Sequence, residues 1–241
     1  MRANTIALAG NPNTGKSTLF NTLTGLKQHT GNWPGKTVIH AEGSFEYNGE
    51  QYVLVDLPGT YSLFSNSTDE EVARDYIIFD QPDATIVVLD ATSLERNLNL
   101  ALQVLEMTNN VIICINLIDE AEKKGIRIDE KKLSRELGIP VVKISARNKK
   151  GIDQLLATLS DLVNGKIMTT PYRMTYSQEI EDAITKIESK LKVYFQDTYP
   201  SRWLALRLLD GDEELILKLQ HHNNNRQLEV KTHDVPISVK S

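Results

Sequence analysis

Residues Gly10-Asn11-Pro12-Asn13-Thr14-Gly15-Lys16-Ser17-Thr18 follow an apolar run, Thr5 to Ala9, and open a helix-like stretch, Lys16 to Thr24. Strand, glycine-rich loop and helix in that order restrict the chain to folds that wrap an anion at the edge of a sheet. Glycines let successive N–H groups turn inward, and Lys16 can reach the β and γ oxygens of a nucleotide. The Ser17 hydroxyl can hold Mg²⁺, and the positive end of the following helix faces the phosphates. A Gly/Asn-rich turn that matches by chance is the alternative, and it leaves the flanking strand and helix unexplained.

Two later segments choose the nucleotide. Asp56-Leu57-Pro58-Gly59 ends a second apolar run, Tyr52 to Val55. A carboxylate at that edge can bind a Mg²⁺-bound water, and Gly59 leaves a backbone N–H free to approach a γ-phosphate. Alone, such a D-x-x-G describes a turn equally well. Asn116-Leu117-Ile118-Asp119 closes the run Val111 to Ile115. Asp119 can accept from N1 and the exocyclic amine of guanine, whereas adenine offers no matching pair of donors. Charge-assisted bonds of this kind are worth roughly 1.5–3 kcal/mol each. Ser145-Ala146-Arg147 follows the run Pro140 to Ile144, with the Ala146 N–H expected on guanine O6. In this order the four segments specify a guanine-nucleotide site, with GTP as substrate and GDP as product.

Composition bounds the rest. The 241 residues, 40% of them hydrophobic, suffice for one core-bearing domain and a smaller appendage. A net charge of −5, from 27 basic and 32 acidic residues, gives no general attraction for nucleic acid, and none is expected as a partner. The longest apolar runs, Ala84 to Leu89 and Val111 to Ile115, fall far short of the ~18 residues of a membrane span. No transmembrane or signal segment is expected. The single cysteine, Cys114, excludes an intrachain disulfide, fits a reducing cytosol and reads as a packing residue.

The pattern along the chain is strand, helix, strand, strand, helix, then three strand–helix pairs. Helices are expected near Glu70 to Phe79, Arg96 to Thr108, Asp129 to Leu137 and Ile152 to Val163. Such alternation gives a doubly wound, mostly parallel α/β sheet that binds ligands at the C-terminal edge of its strands. A hairpin between Val38–Phe45 and Gln51–Val55, turned at Asn48-Gly49, is the one antiparallel pairing expected. Asn164-Gly165 and Pro171 mark a break, giving a domain over 1–165, a helical domain over 171–222 and a linker or terminal tail over 223–241. In the helical part Ser177 is expected to cap a helix reaching Phe195. Its face would be Ile180, Ala183, Ile184, Ile187, Leu191 and Tyr194, followed by helices from Pro200 and from Asp212.

These segments resemble the Ras-like GTPases and, more narrowly, the cytosolic part of the bacterial ferrous iron transport protein B family. The narrower likeness rests on the phosphate loop as written, on Gly31-Asn32-Trp33-Pro34-Gly35-Lys36-Thr37-Val38, and on Asp56-Leu57-Pro58-Gly59-Thr60-Tyr61-Ser62. The remainder through Asn164 fits any small GTPase. The resemblance implies a Ras-like P-loop GTPase fold with a C-terminal helical appendage that slows nucleotide release. It implies Gly35 and Thr37 near the nucleotide, Mg²⁺ held by Ser17, Asp56 and Thr37, and K⁺ beside Asn13 where other GTPases put an arginine finger. Thr30 competes with Thr37 for the switch role, but Thr37 lies directly before a strand. Asn13 also reads as a turn former that tolerates a left-handed conformation, the weaker of its two readings. Lys16, Asn13, Thr37 and Gly59 are the residues expected to serve the chemical step.

Departures from the general pattern carry their own expectations. Leu117 stands where many relatives have a lysine whose stem lies over the base, so nucleotide should be held loosely. Thr60 stands where a glutamine orients water, so intrinsic hydrolysis should be slow. No arginine lies in the phosphate loop or between Lys27 and Thr37. Adjacent His221 and His222 point about 100° apart on a helix and cannot chelate without further ligands. His29 and His40 flank the switch loop, where they could sense iron only with partners not visible in the sequence, and Trp33 reads as an exposed switch residue more readily than as an anchor. The function implied is a GTP-hydrolysing switch that governs ferrous iron passage through a membrane permease domain absent from this chain, at the cytoplasmic face of the bacterial inner membrane. Homo-oligomerisation is compatible with it. Alternatives are a soluble GTPase acting in ribosome or RNA assembly, and a regulatory nucleotide-binding module with negligible turnover.

Overall fold

The computed structural model of the chain describes residues 2–25, 28–64, 67–196, 198–212, 214–215 and 217–223. Lys27, where the expected switch segment begins, and residues 224–241 of the expected tail lie outside the described residues. The chain divides into two units, 1–173 and 174–241.

In the first unit the strands are β1 (Asn4–Gly10), β2 (Gln28–Asn32), β3 (Ile39–Tyr47), β4 (Glu50–Asp56), β5 (Ala84–Asp90), β6 (Val111–Asn116) and β7 (Val141–Lys143). They form one sheet in the order β2-β3-β4-β1-β5-β6-β7. β1 runs parallel to both β4 and β5, with Leu8 opposite Asp56 on one side and Ile86 on the other. β6 and β7 extend the parallel part. Parallel strands covered on both faces must be apolar throughout. All of β6, and β5 up to Asp90, are accordingly buried. This topology brings the C-terminal ends of β1, β4, β5 and β6, and the loops that leave them, to one edge.

Helices cover both faces. On one, Leu19 and Phe20 of α1 (Lys16–Thr24) and Leu155 and Leu159 of α6 (Ile152–Val163) pack with Ile6, Leu8, Ile86 and Ile112. α3 (Leu94–Met107) packs on β1, β5 and β6 with Leu100, Ala101 and Val104 buried. Burial of each such leucine contributes about 1.5–3 kcal/mol relative to exposure. α2 (Thr68–Asp75) begins where the Ser67 side chain accepts from Glu70 N and continues as a π-helical turn, Tyr76–Asp80. α4 (Ile118–Lys123) and α5 (Glu130–Leu137) complete the unit.

Two antiparallel pairings are present rather than the single one expected. The hairpin β3–β4 turns at Asn48 and Gly49, both at positive φ, as a tight two-residue turn requires. The second pairs β2 with β3, Thr30 opposite Ala41 and Asn32 opposite Ile39. Gln28-His-Thr-Gly-Asn has no apolar alternation, so its strand state comes from backbone pairing with β3 and leaves no periodic trace. α4 also went unpredicted, since its six residues are too short to show a helical period.

Residues 166–173 run back along the first unit. Thr170 N donates to Gly138 O and Tyr172 N to Leu137 O, both at 2.9 Å. Gly138 caps α5 at φ 66°, and a Cβ there would collide with Thr170 O.

The second unit holds α7 (Gln178–Phe195), α8 (Ser201–Leu209) and a further helical stretch, 217–223. Its buried face differs from the one expected: Ile184, Leu191 and Phe195 are buried, whereas Ile180 and Tyr194 are exposed. Ser177 occupies the cap position of α7 without a side-chain bond, and Glu181 Oε1 accepts from Tyr176 N instead. Arg202 bonds both Glu181 carboxylate oxygens at 2.8 Å and the Met174 carbonyl at 2.9 Å. His222 Nδ1 lies 2.8 Å from the Tyr199 hydroxyl, which gives one histidine of the adjacent pair a structural partner. Among the described residues no group of His, Cys, Asp or Glu is arranged to hold a metal, and no helix is long and apolar enough to cross a membrane.

Candidate functional site

The phosphate end is built where β1 turns into α1. Gly15 caps α1 at φ 79°, and a Cβ there would run into the Asn116 amide; a Cβ on Gly10 would lie 2.7 Å from Val88 O. Both glycines are therefore demanded by close approach as well as by curvature. Asn13 sits at φ 67°, the left-handed conformation that its turn-former reading requires. Thr14 Oγ1 donates to Asn11 O at 2.9 Å and closes the loop on itself. The first-turn N–H groups of α1 have no intrahelical acceptor and are available to an anion. Ser17 and Thr18 are exposed there.

Lys16 is nearly buried, and its Nζ donates to Asp56 Oδ1 and, at 2.6 Å, to Leu57 O. Burial pushes the Asp56 carboxyl above its ordinary range, with Lys16 pulling it back. Lys16 and Asp56, the residues expected to meet phosphate and Mg²⁺, thus hold each other in this structure. The Asp56–Thr60 segment is laid beside the loop by Leu57 N on Leu8 O at 3.0 Å and Thr60 N on Gly10 O at 3.3 Å. Thr60 is buried, while Gly59 stands against Pro12, whose Cα is 3.5 Å from where a Cβ would sit.

At the base end, buried Asn116 ties two loops together: its Nδ2 donates to Thr14 O at 2.9 Å and its Oδ1 accepts from Ala146 N at 3.0 Å. The Ala146 N–H, expected to face guanine O6, is thus already given to Asn116. Leu117 adopts φ 63°, and its Cδ2 lies 3.9 Å from where a Gly15 Cβ would be. Its apolar side chain therefore lies toward the phosphate loop. Asp119 is half-buried in the first turn of α4, and hydrogen bonds, the Ser145 side chain's first among them, hold its carboxyl below the usual range. Asn148, which the sequence reading missed, donates to Asp119 Oδ2 at 3.1 Å and to Ser145 Oγ at 3.0 Å. Arg147 is exposed.

The switch segment is the turn of the β2–β3 hairpin. Trp33 N donates to Val38 O and Lys36 N to Trp33 O, both at 2.9 Å, with Gly35 at φ 70°. Trp33 is half-buried, its ring 4.5 Å from His40 and 5.3 Å from Tyr76, so it anchors the loop rather than standing free. Lys36 pairs with Glu71 at 2.7 Å. Thr37 is exposed in this turn, and no hydrogen bond described here brings it to Ser17 or Asp56. After Thr60, Arg96 lies over the Tyr61 ring at 4.5 Å, and Gln103 Oε1 accepts from Leu63 N at 2.7 Å.

Comparison with known proteins adds a family. The model of "Ferrous iron transport protein B" matches residues 4–159, and that of the "FeoB cytosolic helical domain" matches 176–233. The Fe(2+) transporter FeoB of Salmonella typhimurium is 42% identical over 217 residues, which are 88% of this chain and 28% of that protein. The chain therefore spans little more than a quarter of that relative's length. Among solved structures, the cytosolic domain of the T. maritima FeoB iron transporter in GDP form I has a TM-score of 0.82 at 39% identity, covering 92% of this chain and 86% of that one. Its GMPPNP form gives 0.80 at 38% identity, covering 91% and 86%.

Proposed function

The chain belongs to the ferrous iron transport protein B family, and on that premise we propose that it is the cytosolic guanine-nucleotide switch of a ferrous iron transporter, converting GTP and water to GDP and phosphate. The carrying observation is the double tie made by Asn116. It fastens the phosphate loop to the Ser145-Ala146 loop, so that phosphate donors and the base-reading Asp119 share one frame. Water adds to the γ-phosphorus, the bond to the β–γ bridging oxygen breaks, and GDP leaves with the electron pair. Lys16 leaves Asp56 and Leu57 O for the β and γ oxygens, where its charge offsets what builds up on the bridge. Gly59 N–H and Thr37 report the γ-phosphate to the two switch segments.

The Ser17 hydroxyl and Asp56 carboxylate, joined by Thr37 once the hairpin turn reaches them, are the hard oxygen donors that suit Mg²⁺, which would neutralise charge between the β and γ phosphates. Thr60, buried and tied to Gly10, has no reach toward an attacking water, which supports a slow intrinsic rate. Asn13 would supply a neutral oxygen for K⁺. The remaining three-quarters of the relatives' length would carry the permease that this switch governs. A net charge of −5 gives the RNA-assembly alternative no general attraction for nucleic acid.

Competition against a fluorescent GDP tests the reading. GTP and GDP should displace it and ATP should not, and Asp119→Asn should shift preference toward xanthine nucleotides. Equal displacement by ATP would overturn it. Turnover should be faster in KCl than in NaCl at matched ionic strength, and Asn13→Ala should abolish the difference while GDP still binds.

A further inference from the structure

Reading guanine with one carboxylate requires both of its oxygens to face the base, one for N1–H and one for the amine. Asp119 is half-buried in the first turn of a six-residue helix, and the side-chain hydrogen bonds that hold its carboxyl come from the Ser145–Lys150 loop, Ser145 first among them. Asn148 reaches it from the neighbouring loop. Because an ionised carboxylate only accepts, the Asn148 amide must present its nitrogen, as it does at 3.1 Å from Oδ2. The same nitrogen donates to Ser145 Oγ at 3.0 Å. The loop that carries it is closed: Ser145 N donates to Lys150 O at 3.0 Å and Lys150 N to Ser145 O at 3.1 Å, with Lys149 at φ 53° making the return. Asn116 braces the root of this loop through Ala146 N. Asn148 therefore adds, from a fixed frame, a donor on Oδ2 to the bond that Ser145 makes with the same carboxyl.

We propose that Asn148 is a positioning residue for guanine selection, holding Asp119 Oδ2 so that the remaining lone pairs of the carboxylate meet the two donors of the base. The inference rests on the assignment of Asp119 as the base reader. Asn148 itself does not touch the nucleotide. A carboxylate oxygen has room for two donors, so Asn148 and guanine share Oδ2 without exclusion. Loosening Asp119 costs guanine more than hypoxanthine, because only guanine offers the amine and needs both oxygens aligned at once.

The test measures dissociation constants of GDP, IDP and ADP for the full chain and for Asn148→Ala, with melting temperatures alongside. GDP should weaken roughly three- to tenfold while IDP changes little, so the preference for GDP over IDP shrinks. Asn148→Gln, which keeps the amide donor, should recover part of it. Three results would overturn the inference: an unchanged GDP/IDP ratio in Asn148→Ala, tighter GDP binding that makes Asn148 a competitor of the base, or equal weakening of both nucleotides with a lowered melting temperature. An unmodified chain that does not prefer GDP to ADP would instead overturn the reading of Asp119, and the inference with it.

Discussion

Hydrogen bonds made by single side chains decide more here than residue type does. Asn116 was legible as part of a base-reading motif, yet its work is to satisfy Thr14 O and Ala146 N in a buried position, where losing a partner costs about 1–3 kcal/mol. No spacing rule shows that, because the groups are 102 and 30 residues away. Asn148 escaped for a related reason: a polar residue in a polar loop looks like any turn residue until its amide is placed. The second unit offers a residue-scale test. Arg202 and Tyr176 N hold the Glu181 carboxyl at about 2, far below its ordinary 4.5. A carboxyl whose folded pKa is depressed stabilises the fold above its unfolded value, and that contribution is lost as pH falls from about 4.5 toward about 2. In a Trp33→Phe background, where emission from Trp203 alone reports, Glu181→Gln should therefore melt lower than the parent at pH 7, with the gap narrowing below about 4.5 and closing only as pH approaches about 2. A gap that stays constant with pH would show that the pair contributes packing and not charge.

Elements were legible in proportion to their burial. β5 and β6 are continuous apolar runs and α6 shows its buried stripe, so their type and approximate bounds follow from pattern alone. β2 is the opposite case, a polar edge strand created by β3, and it matters because it turns the switch segment into a hairpin with Thr37 at its tip. Trp33 pins that tip against His40 and Tyr76, and Lys36 pins it to Glu71. If Thr37 joins the metal shell only when a γ-phosphate is present, the hairpin turn must leave this dock. Trp33 and Trp203 are the chain's two tryptophans, so Trp203→Phe leaves Trp33 as sole reporter. Its emission should shift to the red with Mg²⁺ and a non-hydrolysable GTP analogue and stay unshifted with GDP. Identical spectra in the two states would mean that Thr37 is reached without undocking, or is not the switch residue.

At the scale of the whole molecule, the informative segment is 166–173, which belongs to no helix or strand. Sequence punctuation at Asn164-Gly165 and Pro171 invites a cut before it, whereas the contacts divide the chain after Arg173. The segment is stitched to the end of α5 by Thr170 N and Tyr172 N, to Asn109 by Thr169 Oγ1 and Arg173, and it brings Ile167 and Met168 over a groove beside β7. β7 is a three-residue edge strand, and exposed strand edges invite pairing with other chains, so covering this end of the sheet protects it. A chain ending at Arg173 should fold, stay monodisperse and bind GDP, because every element that carries the proposed nucleotide site precedes that residue. A chain ending at Gly165 should bind GDP as well but melt lower by roughly 5 °C or more, and self-associate, since it loses two backbone bonds and the cover beside β7. Equal melting temperatures would assign 166–173 to the helical unit as a linker. Failure of the longer piece to fold would mean that the helical unit completes the core of the first, and that two units are not two domains.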